Sequence, residues 1–126
     1  MGKQELTTAK GAAPGGAYSQ GLRAGDFVFV SGQGPFDPVT GTIVGITIEE
    51  QVRGTLENVK AILEAGGATM ADVVKATVHL ADIGDFPRFN AVYAEYFPDP
   101  KPTRTTVQSV LHDIKVEIDV IAYVGE

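Results

Sequence analysis

Between Thr47 and Gly67 the chain reads TIEEQVRGTLENVKAILEAGG, an amphipathic helix with both of its ends written into it. Thr47 followed three residues later by Glu50 is a capping-box pattern, in which each side chain satisfies the other's backbone N–H. Behind it Ile48, Val52, Leu56, Val59 and Leu63 recur at helical spacing and leave Glu49, Arg53, Glu57 and Lys60 for solvent. Gly66-Gly67 supplies the stop. A helix with one apolar stripe has to bury it against another layer, so the flanking strand-like runs are expected to form a sheet beneath it. Gly54, inside the helix, costs up to about 1 kcal/mol against alanine and points to close packing on its side.

The runs on either side supply that sheet. Residues 8–16, TAKGAAPGG, are a breaker-rich loop, and AYSQGLRAGDFVFVSG reads as two strands about a Gly25-Asp26 turn. FVFV carries strand formers on both faces, which implies burial on both sides. GPFDPVTG is punctuated by Pro35, Pro38 and Gly41. After the helix, DVVKATVHLAD alternates with Val74, Ala76, Val78 and Leu80 on one face and Val73, Lys75, Thr77 and His79 on the other. A second helix is expected from about Asp85 to Phe97, with Pro87 tolerated in its first turn. Two closing strands, TRTTVQSVL and IKVEIDVIAYV, are joined at His112-Asp113. The order predicts an α+β fold, one mixed sheet with both helices on one face. The other face looks too apolar for bare solvent, so an oligomer with sheets packed together is expected.

Composition narrows the chemistry. The 126 residues imply a single domain, 1–126, and the absence of cysteine excludes disulfides, thiol nucleophiles and Cys-based zinc sites. Two separated histidines, His79 and His112, do not suggest a metal site. Sixteen acids against ten bases, net −6, repel a phosphate backbone, so nucleic acid is a poor default partner. The start has no secretory pattern, and no apolar run approaches membrane-spanning length, so a cytoplasmic protein without membrane contact is expected.

Arg104, in KPTRTT, has no acid within its own run. With a two-residue loop at His112-Asp113, Gln108 would lie opposite Glu117, and Arg104, Thr106 and Gln108 would share a face with Glu117, Asp119 and Ile121. That register leaves Arg104 and Glu117 about 13 Å apart, too far for an ion pair. Either an acid from elsewhere tethers Arg104, or its planar fork waits for the carboxylate of a small organic acid. Glu117 likewise has two readings, a solvated strand charge, which local physics favours, and a functional acid.

The segments AYSQG, FVSGQGP, TLENVKAILEAGGA, VVKATVHLADIGDF, FNAVYAEYF, PTRTTV and KVEIDVIA, in this order and spacing, resemble the Rid family. These are the YjgF-type reactive-intermediate imine deaminases, some of which carry an endoribonuclease or translation-inhibitor name. The resemblance implies a chorismate-mutase-like α+β fold and a barrel-like homotrimer with clefts between subunits. It implies hydrolysis of 2-imino or 2-enamino acids, such as 2-aminoacrylate and 2-iminopropanoate, to 2-oxo acids and ammonia, without metal or cofactor. It places a carboxylate-binding arginine at Arg104, a water-positioning acid at Glu117, a pocket tyrosine at Tyr18 and a pocket serine at Ser31. Asn90 matches an interface-proximal position. Thr106 stands where the family commonly has cysteine, Ala17 where many members have proline, and the turn near VLHD is about two residues shorter.

The residues suit that chemistry. Arg104, with Ser31, Asn90 and Thr106 as further substrate contacts, would orient the imino acid through its carboxylate. Glu117 would orient or deprotonate the attacking water, with Tyr18 sharing in proton transfer or walling the pocket. Two other readings stand beside it: a non-catalytic module that binds a small carboxylate such as a 2-oxo acid, and an endoribonuclease.

Overall fold

The capping box closes as expected: the Thr47 hydroxyl accepts from the Glu50 N–H at 3.2 Å, and the Glu50 carboxylate accepts from the Thr47 N–H at 3.0 Å. It opens helix α1, Ile48–Ala65, in a computed structural model that describes residues 2–125. Ile48, Val52, Leu56, Val59 and Leu63 are all buried. Gly66 caps the end through its N–H, and Gly67 turns the chain away at φ +81°. At Gly54 an added Cβ would meet Pro35 at 3.5 Å. That is ordinary contact, so the helix does not need glycine there for space.

The strands are β1 (Lys3–Leu6), β2 (Gly21–Ala24), β3 (Phe27–Gln33), β4 (Val73–Leu80), β5 (Thr103–Gln108) and β6 (Val116–Tyr123), with helix α2 (Phe86–Tyr96) between β4 and β5. They form one sheet in the order β1-β2-β3-β6-β4-β5, with β4 and β5 parallel and the other neighbours antiparallel. The hairpin about Gly25-Asp26 is present, Gly25 taking φ +57°. β1 is an addition to the expected strands. Its KQEL is polar and buries only Leu6, so no alternation announces it.

Both helices lie on one sheet face. Val28, Val78, Leu80, Val116, Ile118 and Val120 point into the same core as the α1 stripe and Phe89, Val92 and Tyr93 of α2. Exposed Arg53–Glu95 and Arg88–Glu49 pairs bridge the helices at 2.9 and 2.7 Å, with little effect on stability. The fold is therefore α+β, with a mixed sheet under two helices. Among the described residues no helix is long and apolar enough to cross a membrane.

Three expectations are corrected. Phe27 and Phe29 are 42% and 39% exposed, so β3 is covered by its own chain on one face only. Their rings adjoin the equally open Tyr123, with Phe27 and Tyr123 centroids 5.3 Å apart. In β4 a register shift between Val73 and Lys75 turns Val73 inward and leaves Val74 out. Most consequential, β5 and β6 are not a hairpin. β4 lies between them, so Gln108 pairs with Leu80 and Glu117 with His79. Residues 109–115 arch over the end of β4, tied down by Ser109 N–H to Leu80 C=O and Ala81 N–H to Lys115 C=O, at 2.9 and 3.0 Å.

Candidate active site

Inserting β4 between β5 and β6 decides where the candidate side chains point. Arg104 is paired with Ala76, a core residue of β4, so it faces the helices from the edge strand β5. Its Nη1 donates to Asn90 Oδ1 at 2.8 Å. The guanidinium carbon lies 4.7 Å from the Tyr93 ring centroid, 5.3 Å from Phe86 and 5.5 Å from Phe89. Aromatic faces attract a cation and fix its plane. Among the described residues no carboxylate comes within 4.0 Å of this guanidinium, so none of them makes the ion-pair tether weighed from the sequence.

A hollow of about 380 Å³ opens here, lined by Asn90, Tyr93, Ala94, Lys101, Pro102 and Arg104. The Tyr93 hydroxyl and Thr106 Oγ1 are buried with no hydrogen-bond partner among the described residues. Burial pushes the Tyr93 phenol up, and the positive charge of Arg104 opposes it.

Glu117 and Ser31 lie on the open face, and Tyr18 lies in the loop that leads into β2. Glu117 sits on β6 across from His79, whose Nδ1 lies 2.7 Å from Ser109 Oγ. The Glu117 carboxylate leans towards β3, over Gly32. Ser31, beside Gly32, lines a second hollow with Phe29 and Asp119. Its hydroxyl donates to the Ser19 carbonyl at 2.6 Å and its N–H to the Gln20 carbonyl at 3.0 Å. Ser31 thus anchors the loop that carries Tyr18. Tyr18 is half exposed, and its hydroxyl accepts from the Gly15 N–H at 2.9 Å. Asp119 is half-buried, and that burial raises its carboxyl above the usual carboxylate range while His79 and Lys75 pull it back.

The structure therefore brings together Arg104, Asn90 and Thr106 on the helix side, and Glu117 with Ser31 on the open side. It does not bring the two groups together. The shared face expected for Arg104 and Glu117 does not exist, because it rested on a hairpin that β4 interrupts.

Sequence reasoning also missed the anchors of the surrounding loops. Buried Gln20 holds residues 8–12 by donating to the Thr8 and Ala12 carbonyls and accepting from the Thr8 N–H. Asn58 on α1 donates to the Gly34 and Phe36 carbonyls and accepts from the Ala12 N–H. Both residues lie inside segments that carry the family resemblance, which was the one signal that could have marked them. Among the described residues no three His, Asp or Glu side chains converge to hold a metal ion.

Comparison with known proteins settles the family. Residues 8–124 match the family model described as Endoribonuclease L-PSP. The chain belongs to the Rid family. A RutC family protein of Pyrococcus horikoshii is 48% identical over 123 residues, covering 96% of this chain and 98% of that one. Reactive Intermediate Deaminase A, chloroplastic, of Arabidopsis thaliana is 42% identical over 122 residues, 95% of this chain and 65% of the relative. The crystal structure of Escherichia coli TdcF with bound serine superposes with a TM-score of 0.88 at 39% identity, covering 95% of this chain and 98% of that one. Deaminases of reactive intermediates are thus named among the relatives of this Rid chain, beside the endoribonuclease description.

Proposed function

We propose that this Rid protein hydrolyses 2-imino and 2-enamino acids, 2-aminoacrylate and 2-iminopropanoate among them, to the 2-oxo acid and ammonia. The observation that carries the reading is Arg104: a guanidinium held by Asn90 and three aromatic rings, with no acid among the described residues to pair with. Such a fork is preorganised for a carboxylate. Serine in the TdcF structure is itself a small amino acid, and a relative bears the name Reactive Intermediate Deaminase A.

The site needs a second copy of the chain. Arg104 and Glu117 face opposite ways, and the open sheet face carries exposed Phe27, Phe29 and Tyr123 that a neighbour would cover. In a homotrimer with sheets packed together, the edge strand of one protomer would bring Arg104, Asn90 and Thr106 to the open face of the next, where Glu117 and Ser31 lie, with Tyr18 in the loop that Ser31 anchors.

There Arg104 fixes the substrate carboxylate and so places the neighbouring C=N carbon. Water adds to that carbon, its proton passing to Glu117 while the C=N electron pair moves to nitrogen. Glu117 returns the proton to nitrogen. As the C–N bond breaks, Glu117 takes the hydroxyl proton and passes it to the departing nitrogen, and the products are the 2-oxo acid and ammonia. An enamine first takes a proton at C3 from the Tyr18 hydroxyl, the proposed donor, and gives up one from nitrogen that restores it. General base assistance of this kind is worth typically 10²–10⁴-fold. A net charge of −6 works against the approach of RNA.

The test couples the protein to a pyridoxal-phosphate-dependent dehydratase that makes imine from serine or threonine, with semicarbazide trapping what escapes. Less semicarbazone is expected with the protein, and no such decrease with Arg104→Ala. An unchanged trap signal together with saturable pyruvate binding would replace the deaminase reading with that of a carboxylate-binding module.

A further inference from the structure

Gly32 stands in a bulge of β3. Val30 pairs with Val120 and Gln33 with Ile118, so Ser31 and Gly32 together oppose the single residue Asp119. Bulges re-aim the chain and break the ladder locally. A Cβ built on Gly32 would stand 2.5 Å from Glu117 Oε2, 3.0 Å from its Cδ and 3.3 Å from its Cγ, and these are its three nearest neighbours. The carboxylate therefore lies on the bare backbone of Gly32.

Nothing in the backbone calls for glycine here. Gly25, Gly41, Gly45 and Gly67 take positive φ, whereas Gly32 does not, so its conformation is one that any residue adopts. Only the space above it excludes a side chain, and the Glu117 side chain fills that space. Gly54 is the contrast, with nothing nearer than 3.5 Å to an added Cβ.

We infer that Gly32 is a positioning residue for Glu117: its missing side chain is the seat of the carboxylate, and the bulge presents that seat. The geometry stands by itself, and its consequence for catalysis rests on the imine-hydrolysis reading above. A methyl group at position 32 meets the free end of a flexible side chain. Gly32→Ala should therefore move the carboxylate by about 1 Å, the distance that restores ordinary contact, and leave the sheet intact.

The experiment compares wild type, Gly32→Ala, Glu117→Ala and the control Gly54→Ala by crystal structure, imine turnover and pyruvate binding. In Gly32→Ala the fold, the assembly and pyruvate affinity are expected unchanged. The Glu117 carboxylate is displaced, and kcat falls by roughly 10²-fold at constant KM, the usual cost of a misplacement of that size. Gly54→Ala keeps wild-type kinetics. A crystal structure of Gly32→Ala with Glu117 unmoved overturns the seat. So does wild-type kcat in Gly32→Ala when Glu117→Ala is inactive. If wild type hydrolyses no imine, the functional reading fails, and the displacement in the crystal still decides the seat.

Discussion

Arg104 and Glu117 project from opposite faces of the same sheet, with β4 between their strands: Arg104 is level with core residue Ala76, and Glu117 with His79 on the open face. One chain cannot place both against a single small molecule. If they act together, each working site combines Arg104 of one protomer with Glu117 of another. Arg104→Ala and Glu117→Ala should each be inactive alone, yet regain activity when unfolded and refolded as a mixture. Random mixing in a cyclic assembly gives each site an intact Arg104 and an intact Glu117 about a quarter of the time. Recovery near that fraction of wild-type turnover is expected, and a mixture as dead as its components would dismiss the shared site.

The guanidinium is held on one side by Asn90 at 2.8 Å and flanked by the Tyr93 ring at 4.7 Å, so its plane as well as its charge is fixed. Arg104→Lys keeps the charge and loses the fork. Pyruvate binding should weaken by roughly ten- to a hundredfold, the worth of one charged hydrogen bond at about 1.5–3 kcal/mol. Calorimetric titration of both proteins with pyruvate measures this. Equal affinity in Arg104→Lys would show that charge alone recruits the acid.

What the sequence made legible was local. The Thr47–Glu50 box, the α1 stripe and the Gly25-Asp26 hairpin depend on residues a few positions apart, and all three formed. The C-terminal pairing depended on a strand from elsewhere. His112-Asp113 has turn chemistry, and Asp113 does take φ 62°, but the turn belongs to an arch over β4 and not to a hairpin. No local pattern shows that a third strand intervenes. For the same reason candidate site residues could be named from the family motifs while their faces could not. Gly32 shows the limit well: FVSGQGP enters only as a family motif, and the contact of Gly32 with Glu117 appears only once β3 and β6 are paired.

Gly54 tests whether the helix tolerates what the sequence suggested it could not. Its neighbour Pro35 leaves 3.5 Å to an added Cβ, and the residue lies in the interior of α1. Alanine there restricts the unfolded chain and favours the helix without a clash. Gly54→Ala should raise unfolding stability by about 0.5–1 kcal/mol. Urea unfolding should show a higher midpoint at unchanged slope. A lower midpoint would mean that Pro35 cannot accommodate the methyl group.

Tyr96 offers a reading of the helix pair at high pH. Its hydroxyl donates to Glu57 Oε2 at 2.8 Å. Burial first, then this bond and the Glu57 charge, push the phenol up to about 12 from an ordinary value near 10, against the opposing charge of Arg53. The folded protein thus holds this proton more tightly than the unfolded chain. Its contribution to stability is whole below about pH 10 and is lost as pH rises through about 12. Tyrosinate absorbance should therefore show a late step, beside the burial-delayed titration of Tyr93, and Tyr96→Phe should remove that step. The same variant should lose less stability than wild type across that alkaline interval, measured by urea unfolding at successive pH values. Tyrosinate titrations of wild type and Tyr96→Phe that differ only near the ordinary value would mean that the bond to Glu57 is not kept in solution.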